Sequence, residues 1–513
     1  MSRRALIGEL SRLGMMLLTL LVSPASEASP SSSPNIIIVL ADDLGWMDVG
    51  YHGSEIKTPV LDRLASEGVV FTQFHAQPTC SPTRAALLTG QSPQRFGITQ
   101  PLSKLQPRGL SLATQTLADH LKTAGYQTFL TGKWHLGPSD YAYHPRARGF
   151  DHFYGNLTGG VGHWDHVHGG GLDWQRNGYS VREKGYTSHL LAAEAQHLIR
   201  TRQRNQPFFL YLSFNAPHLP NEAPSEALEP YQSIENPYRR AHAAMVSELD
   251  SALGTVLQTV EEEGLSQDTL IWFMSDNGGL LAEDGPPPLV TFAKILDWVF
   301  EGPVPQRTLE FIRVNMLEGG SDNGLLRSGK ASIYEGGVRV PALLHWRGQL
   351  SPARRDELVT VQDVTPTLLA LAGVETAASF DGRSLWPALK EGLSIAPSDY
   401  VTVGREGKAF YRWPWKLIVA HEGGSVELYH LEEDPLEAAD LSAQAPERVR
   451  VLKQALAKAP QGESIHLPLT QVLRDMDFFG GEEDRPPWAE QMRHGSPEAL
   501  RNGKSAHERG SSK

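Results

Sequence analysis

Residues 35–43 read NIIIVLADD, six apolar residues running straight into two carboxylates. The run is short and rich in β-branched residues, which favours an extended strand over a helix. No polar residue alternates through it, so both of its faces are expected to be covered, as in the parallel sheet of an α/β protein. The same design returns three times. In YQTFLTGKWHLG (126–137) a strand precedes Lys133 and His135; in PFFLYLSFNAPH (207–218) one precedes His218; in DTLIWFMSDNGG (268–279) one precedes Asp276 and Asn277. Helical stretches at 111–124, 187–203 and 239–263 separate the runs. The fold class is therefore α/β, with a large, mostly parallel sheet flanked by helices.

Open sheets of this kind bind ligands beyond the carboxyl ends of their strands, and the chemically capable residues gather there. Asp42, Asp43, Asp276 and Asn277 offer oxygen ligands only, which suit Ca²⁺ or Mg²⁺ and suit zinc poorly. Helix caps and turns are the alternative use of such residues. Lys133 and His135, two apart, point the same way if their segment is extended. Lys330, in LLRSGKASIYEGG (325–337), sits in a Gly-flanked loop that can bring an ammonium to a ligand.

The single cysteine of the chain lies in QPTCSPTRAALLTG (77–90). Pro82 suits the first position of a helix, which puts Cys80 just before it, where free N–H groups favour negative charge. Arg84 follows about one turn later on the same face. A metal, several cations and a helix N-terminus together stabilise a transferring anionic group, and a histidine supplies the leaving group's proton. The residues thus suggest hydrolysis of an anionic ester, without separating phosphate from sulfate.

The remaining chain sets bounds. Its 513 residues are 40% hydrophobic and 21% charged, with a formal net charge of −12, which argues against a general nucleic-acid partner. Arg3, Arg4, the apolar LGMMLLTLLV and the small residues of SEA (26–28) read as a signal peptide over 1–28, too short for a comfortable span; an uncleaved anchor is the alternative. No later segment is apolar enough to cross a bilayer, and one cysteine permits no intrachain disulfide. Asn156-Leu-Thr is a glycosylation sequon. The catalytic domain is expected over 34–385 with an insertion at 280–320, carrying helices near 289–300 and 308–318. A smaller C-terminal α+β domain with a short antiparallel sheet is expected over 386–480, and a flexible polar tail over 481–513. SDNG occurs at 275 and again at 321; only the first copy follows a strand, so it is assigned to the site. GHWDHVHGGGLDW (162–174) is expected to face substrate rather than to hold a second metal, and Trp164 or Trp174 either stacks on a ring of the substrate or packs in the core.

Cys80-Ser-Pro82-Thr-Arg84 followed by AALLTG resembles the signature of the type I sulfatases, and the resemblance runs over most of 34–450, including ELYHLEEDPLEAADL (427–441). It implies an alkaline-phosphatase-like sandwich and oxidation of Cys80 to Cα-formylglycine (3-oxoalanine). It further implies that Asp42, Asp43, Asp276 and Asn277 bind calcium together with residue 80, and that Arg84 stabilises the formylglycine hydrate. Lys133 and Lys330 would hold sulfate oxygens, His218 would assist the leaving group and His135 would help the hydrate turn over. In the family one hydrate hydroxyl attacks sulfur and releases the alcohol, and the second lets the aldehyde re-form and expel sulfate. DDLGWMDVGYHGSEIKTPVLDRLASEGV (42–69) resembles arylsulfatase B-like N-acetylgalactosamine-4-sulfatases and bacterial carbohydrate sulfatases. A sulfated saccharide substrate, a formylglycine-generating maturation enzyme and a secreted, periplasmic or lysosome-like compartment follow from the resemblance. A phosphonate or phosphodiester hydrolase on the same scaffold and a catalytically silent sulfoglycan-binding protein are the other readings.

Overall fold

Alternate residues of strand β1 (Asn35–Ala41) enter two separate cores, which is why the strand has no polar position in its middle. Ile36, Ile38 and Leu40 pack with Leu87 and Leu88 of helix α2 (Cys80–Thr89) and with Leu117 and Leu121 of α3 (Leu117–Thr123). Ile37, Val39 and Ala41 pack with Leu61 and Leu64 of α1 (Pro59–Glu67), Leu191 and Ile199 of α4 (Thr187–Thr201), and Leu249 and Leu253 of α5 (Pro237–Glu262). Each Ile, Leu and Val side chain here contributes roughly 1.5–3 kcal/mol through burial. The computed structural model describes residues 33–104, 106–168, 171–281, 318–421 and 424–467. The expected signal peptide, residues 282–317 of the expected insertion and the expected tail lie outside the described residues.

β1 is central in a ten-stranded sheet. The other strands are β2 (Val69–Phe71), β3 (Gln127–Gly132), β4 (His152–Gly155), β5 (Gln175–Arg176), β6 (Tyr179–Ser180), β7 (Phe208–Ser213), β8 (Thr269–Ser275), β9 (Ala342–His345) and β10 (Ala353–Arg355). Their order is β10-β2-β9-β8-β1-β7-β3-β4-β5-β6. Strands β8, β1, β7, β3 and β4 are mutually parallel, while β9 and β5 pair antiparallel with the two ends of that block. The register aligns the carboxyl ends: Leu40 faces Ser213, Ala41 faces Ser275, and Ser213 faces Gly132. Asp42, Asp43, Lys133, Asp276 and Asn277 therefore leave the sheet along one edge.

A second, four-stranded antiparallel sheet comprises β11 (Asp399–Val403), β12 (Gly407–Arg412), β13 (Trp415–Ala420) and β14 (Val426–His430). Phe410, Leu417 and Leu428 on one face cover Leu452 and Leu456 of α6 (Pro446–Leu456). Tyr400, Tyr411, Ile418 and Tyr429 on the other pack on Ile333, Tyr334 and Val338, just beyond Lys330.

Several local expectations need correction. The helix expected from 111 begins only at Leu117, because Thr116 and Asp119 form a reciprocal capping box that fixes the start there. Pro82 is the third residue of α2 and Cys80 its first, so Cys80 lies inside the helix; Pro82 is still in the first turn, where no intrahelical N–H partner is lost. Asn156 is fully buried, donates to the Thr158 carbonyl at 3.0 Å and accepts from Asn215 at 2.9 Å, so the fold leaves no room for a glycan on it. Among the described residues no helix is long and apolar enough to cross a membrane.

Candidate active site

Two adjacent carboxylates divide the cations between them. Asp42 accepts both contacts of the Lys133 ammonium, at 2.7 and 2.8 Å, in a fully buried pair. Asp43 accepts from Lys330 at 2.6 Å and from the Asn277 amide at 2.7 Å, and His218 Nε2 stands 3.6 Å away. Asp43 has a left-handed backbone, φ 68°, a conformation costly for a non-glycine residue; its N–H is tied to Asp276 Oδ1 at 3.1 Å. Burial pushes the Asp42 carboxyl up to about 8, reinforced by Asp276 and opposed by Lys133 and Arg84. Burial acts likewise on Asp43, but Lys330, His218 and Lys133 outweigh it and hold that carboxyl well below the usual range.

Helix α2 supplies Cys80 and Arg84. Arg84 is fully buried and donates to Asp276 Oδ2 from Nε (3.2 Å) and a terminal nitrogen (2.8 Å), to the Lys133 carbonyl (2.9 Å) and to Ser213 Oγ (2.6 Å). One guanidinium thus ties α2 to the ends of β8, β3 and β7. Cys80 Sγ lies 3.7 Å from Asp42 Oδ1. Burial pushes its thiol up to about 12, with Lys133 opposing and Asp276 adding to the rise. Burial first, then Asp276 and Asp42, outweigh Lys133 and Lys330 and favour the neutral thiol over a thiolate. Asp42, Asp43, Cys80 and His218 each present one ligand atom, all within 4.8 Å of one another.

The histidines approach from a different wall. His218 Nδ1 donates to the Leu219 carbonyl at 2.7 Å, which leaves Nε2 turned toward Asp43. His135 does not sit in an extended segment, since its φ is 58°; its Nε2 donates to the Leu102 carbonyl at 3.0 Å, and its buried Nδ1 has no hydrogen-bond partner. Burial first, then the nearby lysines, lower both imidazole pKa values well below the ordinary value, so both rings are neutral proton acceptors near pH 7. Gly159 and Gly160 give these rings their space. A Cβ on Gly159 would lie 2.8 Å from His135 Cε1, and one on Gly160 would lie 3.0 Å from His218 Cε1 and Nδ1. Asp42, Asp43, Lys133, Asp276 and Asn277 are buried, while Lys330 and His218 keep 17% and 14% side-chain exposure.

All the candidate residues converge, and further residues brace them. Ser81 Oγ donates to the His135 carbonyl at 2.9 Å and accepts from Leu102 N at 2.9 Å. The second SDNG copy backs the first: Asn323 exchanges two hydrogen bonds with Gly279, at 3.0 and 3.1 Å. Asp48 collects Arg239, His242, Ser321 and the Asp322 and Gly45 amides. Glu335, buried in the loop after Lys330, pairs with His75 and Lys416 at 2.9 Å each, and Lys416 also holds Glu437 at 2.6 Å. The last contact gives ELYHLEEDPLEAADL a physical reading: Glu437 fastens the small sheet to the loop that carries Lys330. That loop touches the site again through Gly278 N to the Gly337 carbonyl (2.9 Å) and Ala331 N to the Pro78 carbonyl (2.8 Å). The repeated SDNG was the one visible hint of these braces.

The family model described as Sulfatase matches residues 34–374. The chain belongs to the sulfatase family. It is 30% identical to arylsulfatase J of Mus musculus, with 88% of this chain and 79% of that protein covered. It is 31% identical to N-acetylgalactosamine-6-sulfatase of Homo sapiens, with 74% and 72% covered. Among solved structures, Ps i-CgsB in complex with k-i-k-neocarrahexaose superposes with a TM-score of 0.74 at 28% identity, covering 87% of this chain and 98% of that one. The sulfatase has the alkaline-phosphatase-like sandwich of its family, and it is an enzyme.

Proposed function

We propose that this sulfatase removes sulfate from a sulfated saccharide, using Cys80 matured to formylglycine and a bound calcium ion. The observation that carries the reading is the packing of Cys80, three carboxylates, Asn277, three cations and His218 around one solvent-facing mouth. The saccharide class is supported by the names of the relatives, N-acetylgalactosamine-6-sulfatase and a structure holding a neocarrahexaose.

The donor set fits a hard cation. Asp42, Asp43, Asp276 and Asn277 present only oxygens, and Asn277 Oδ1 is buried without a hydrogen-bond partner. Asp42 and Asp43 are paired here with Lys133 and Lys330. Once those ammonium groups turn to an anionic sulfate, the carboxylates need another cation, and calcium held by the four oxygen donors and residue 80 meets that need. Such an ion supplies charge stabilisation to the nucleophile and the transferring group, and the hydrate of formylglycine supplies an oxygen nucleophile where a thiol has none.

The side chains of this chain then divide the work. Lys133 and Lys330 hold sulfate oxygens and offset charge as the ester bond breaks. Burial lowers the pKa of Lys330, but the Asp43 carboxylate 2.6 Å away outweighs it and raises that pKa, so Lys330 stays protonated. Arg84 fixes the first turn of α2 against β8, so position 80 keeps its place. His218 Nε2, with Nδ1 committed to Leu219, handles the proton of the departing alcohol. His135 Nδ1, bare and buried, takes the proton whose loss lets sulfate leave. A catalytic domain over 34–385, a C-terminal domain over 386–480, signal-directed export to a secreted or periplasmic compartment (a lysosome-like lumen in a eukaryote) and a formylglycine-generating partner complete the reading.

Paired esters test it. Protein co-expressed with a formylglycine-generating enzyme should release sulfate from a sulfated saccharide with a kcat/KM at least about a hundredfold above that for the matching phosphate ester, a gap of about 2.7 kcal/mol. Cys80→Ala should release none. Preference for the phosphate ester would favour the phosphohydrolase reading instead.

A further inference from the structure

The loop GHWDHVHGGGLDW contains one tryptophan that the fold buries and one that it leaves out. Trp174 is 1% exposed and its Nε1 donates to Tyr154 OH at 3.0 Å, so it is core. Trp164 is 47% exposed, the only exposed tryptophan among the described residues. Its surroundings are built. His163, the preceding residue, has Nε2 on the His218 carbonyl at 2.9 Å, Nδ1 on Thr187 Oγ1 at 2.7 Å and its N–H on Glu222 at 2.7 Å. Tyr186 stacks on His163 at 5.5 Å, stands 5.2 Å from the Trp164 ring, and donates to the Glu222 carbonyl at 3.0 Å. A tight turn closes beneath, with His166 N bonded to the Gly162 carbonyl at 3.1 Å.

A single exposed apolar residue needs no occupant by itself; what sets this indole apart is its buttressing and its place beside the site. This one is held at a fixed offset from His218, through His163, and four residues after Gly160, which already touches the His218 ring space. We propose that Trp164 is the stacking platform of a saccharide subsite, receiving the apolar face of a pyranose ring next to the ring that carries the scissile sulfate. The inference rests on the sulfated-saccharide reading above. The occupant is a sugar rather than a protein segment because the exposed apolar surface here is one indole face braced by Tyr186, the size of a single pyranose face, next to the site that the saccharide must enter.

Two readouts test the subsite separately from turnover. In a Cys80→Ala background, a sulfated chondroitin tetrasaccharide is titrated by calorimetry against the otherwise native chain and against Trp164→Ala and Trp164→Phe. The expected result is a roughly tenfold weaker Kd for Trp164→Ala, with Trp164→Phe recovering most of the loss. In the matured enzyme, the ratio of kcat/KM for the tetrasaccharide over 4-nitrophenyl sulfate should fall by a similar factor, carried by KM. Equal affinities in all three Cys80→Ala proteins overturn the subsite. Tetrasaccharide binding that depends on Trp164, in a matured protein that hydrolyses no sulfate ester, supports the subsite and overturns the sulfated-ester hydrolysis instead.

Discussion

Replacing Gly159 by alanine should damage catalysis more than folding. The new Cβ would lie 2.8 Å from His135 Cε1 and 2.9 Å from Nε2, where ordinary contact begins at 3.4 Å, so the ring must retreat by about 0.6 Å. It has little freedom to do so. His135 is buried, its Nε2 is pinned to the Leu102 carbonyl at 3.0 Å, its N–H to the Leu157 carbonyl at 3.1 Å, and its own carbonyl accepts from Ser81. A displacement of about 1 Å in a reacting group can cost 10²-fold, so kcat is expected to fall roughly ten- to thirtyfold. Overpacking should cost about 1–3 kcal/mol of stability. Because His135 is assigned to sulfate release, a rapid first burst of alcohol should survive while steady-state sulfate release slows. Gly160→Ala presses on His218 instead, at 3.0 Å, and should slow the burst itself. Stopped-flow with 4-nitrophenyl sulfate separates the two phases. A Gly159→Ala enzyme with wild-type kcat, or two variants with the same altered phase, refutes the assignment.

Other outcomes follow from the same contacts. Lys416→Met leaves Glu335 and Glu437 buried without their cation, so denaturant titration should show a loss of about 3–5 kcal/mol, and KM should rise as the Lys330 loop loses its anchor. At Asp48 burial pushes the carboxyl up, but His242 and Arg239 outweigh it and hold it below the unfolded value of 3.8; its stabilisation is therefore present above about pH 4 and lost as pH falls further, and Asp48→Asn should flatten the fall of Tm below that pH. Chelation of divalent cations should abolish turnover and lower Tm, and calcium at about a hundred times its Kd should restore roughly 2.7 kcal/mol of stability.

The central sheet was legible because both of its faces are buried. NIIIVLA, FFLYLS and TLIWFMS have no polar alternation to misread, and their ends carry the carboxylates, lysines and histidines in plain view. What escaped was set by contacts distant in sequence. Nothing local marks Asp48 as the hub for Arg239 and Ser321, nor Lys416 as the partner of Glu335, since each pair forms only after the sheet has brought the loops together. Nothing local singles out the glycines at 159 and 160, whose need comes from imidazoles supplied by other strands. At Cys80 the helix can be read from sequence, but the burial that raises the thiol pKa and the carboxylates of Asp276 and Asp42 that add to it come from distant strands.

The most direct test of the account is the mass of the tryptic peptide carrying Cys80, from protein co-expressed with a formylglycine-generating enzyme and shown to release sulfate. The account predicts an aldehyde at position 80, seen as loss of the thiol and trapping by a hydrazide. Sulfate release by protein whose peptide keeps an intact thiol would contradict it.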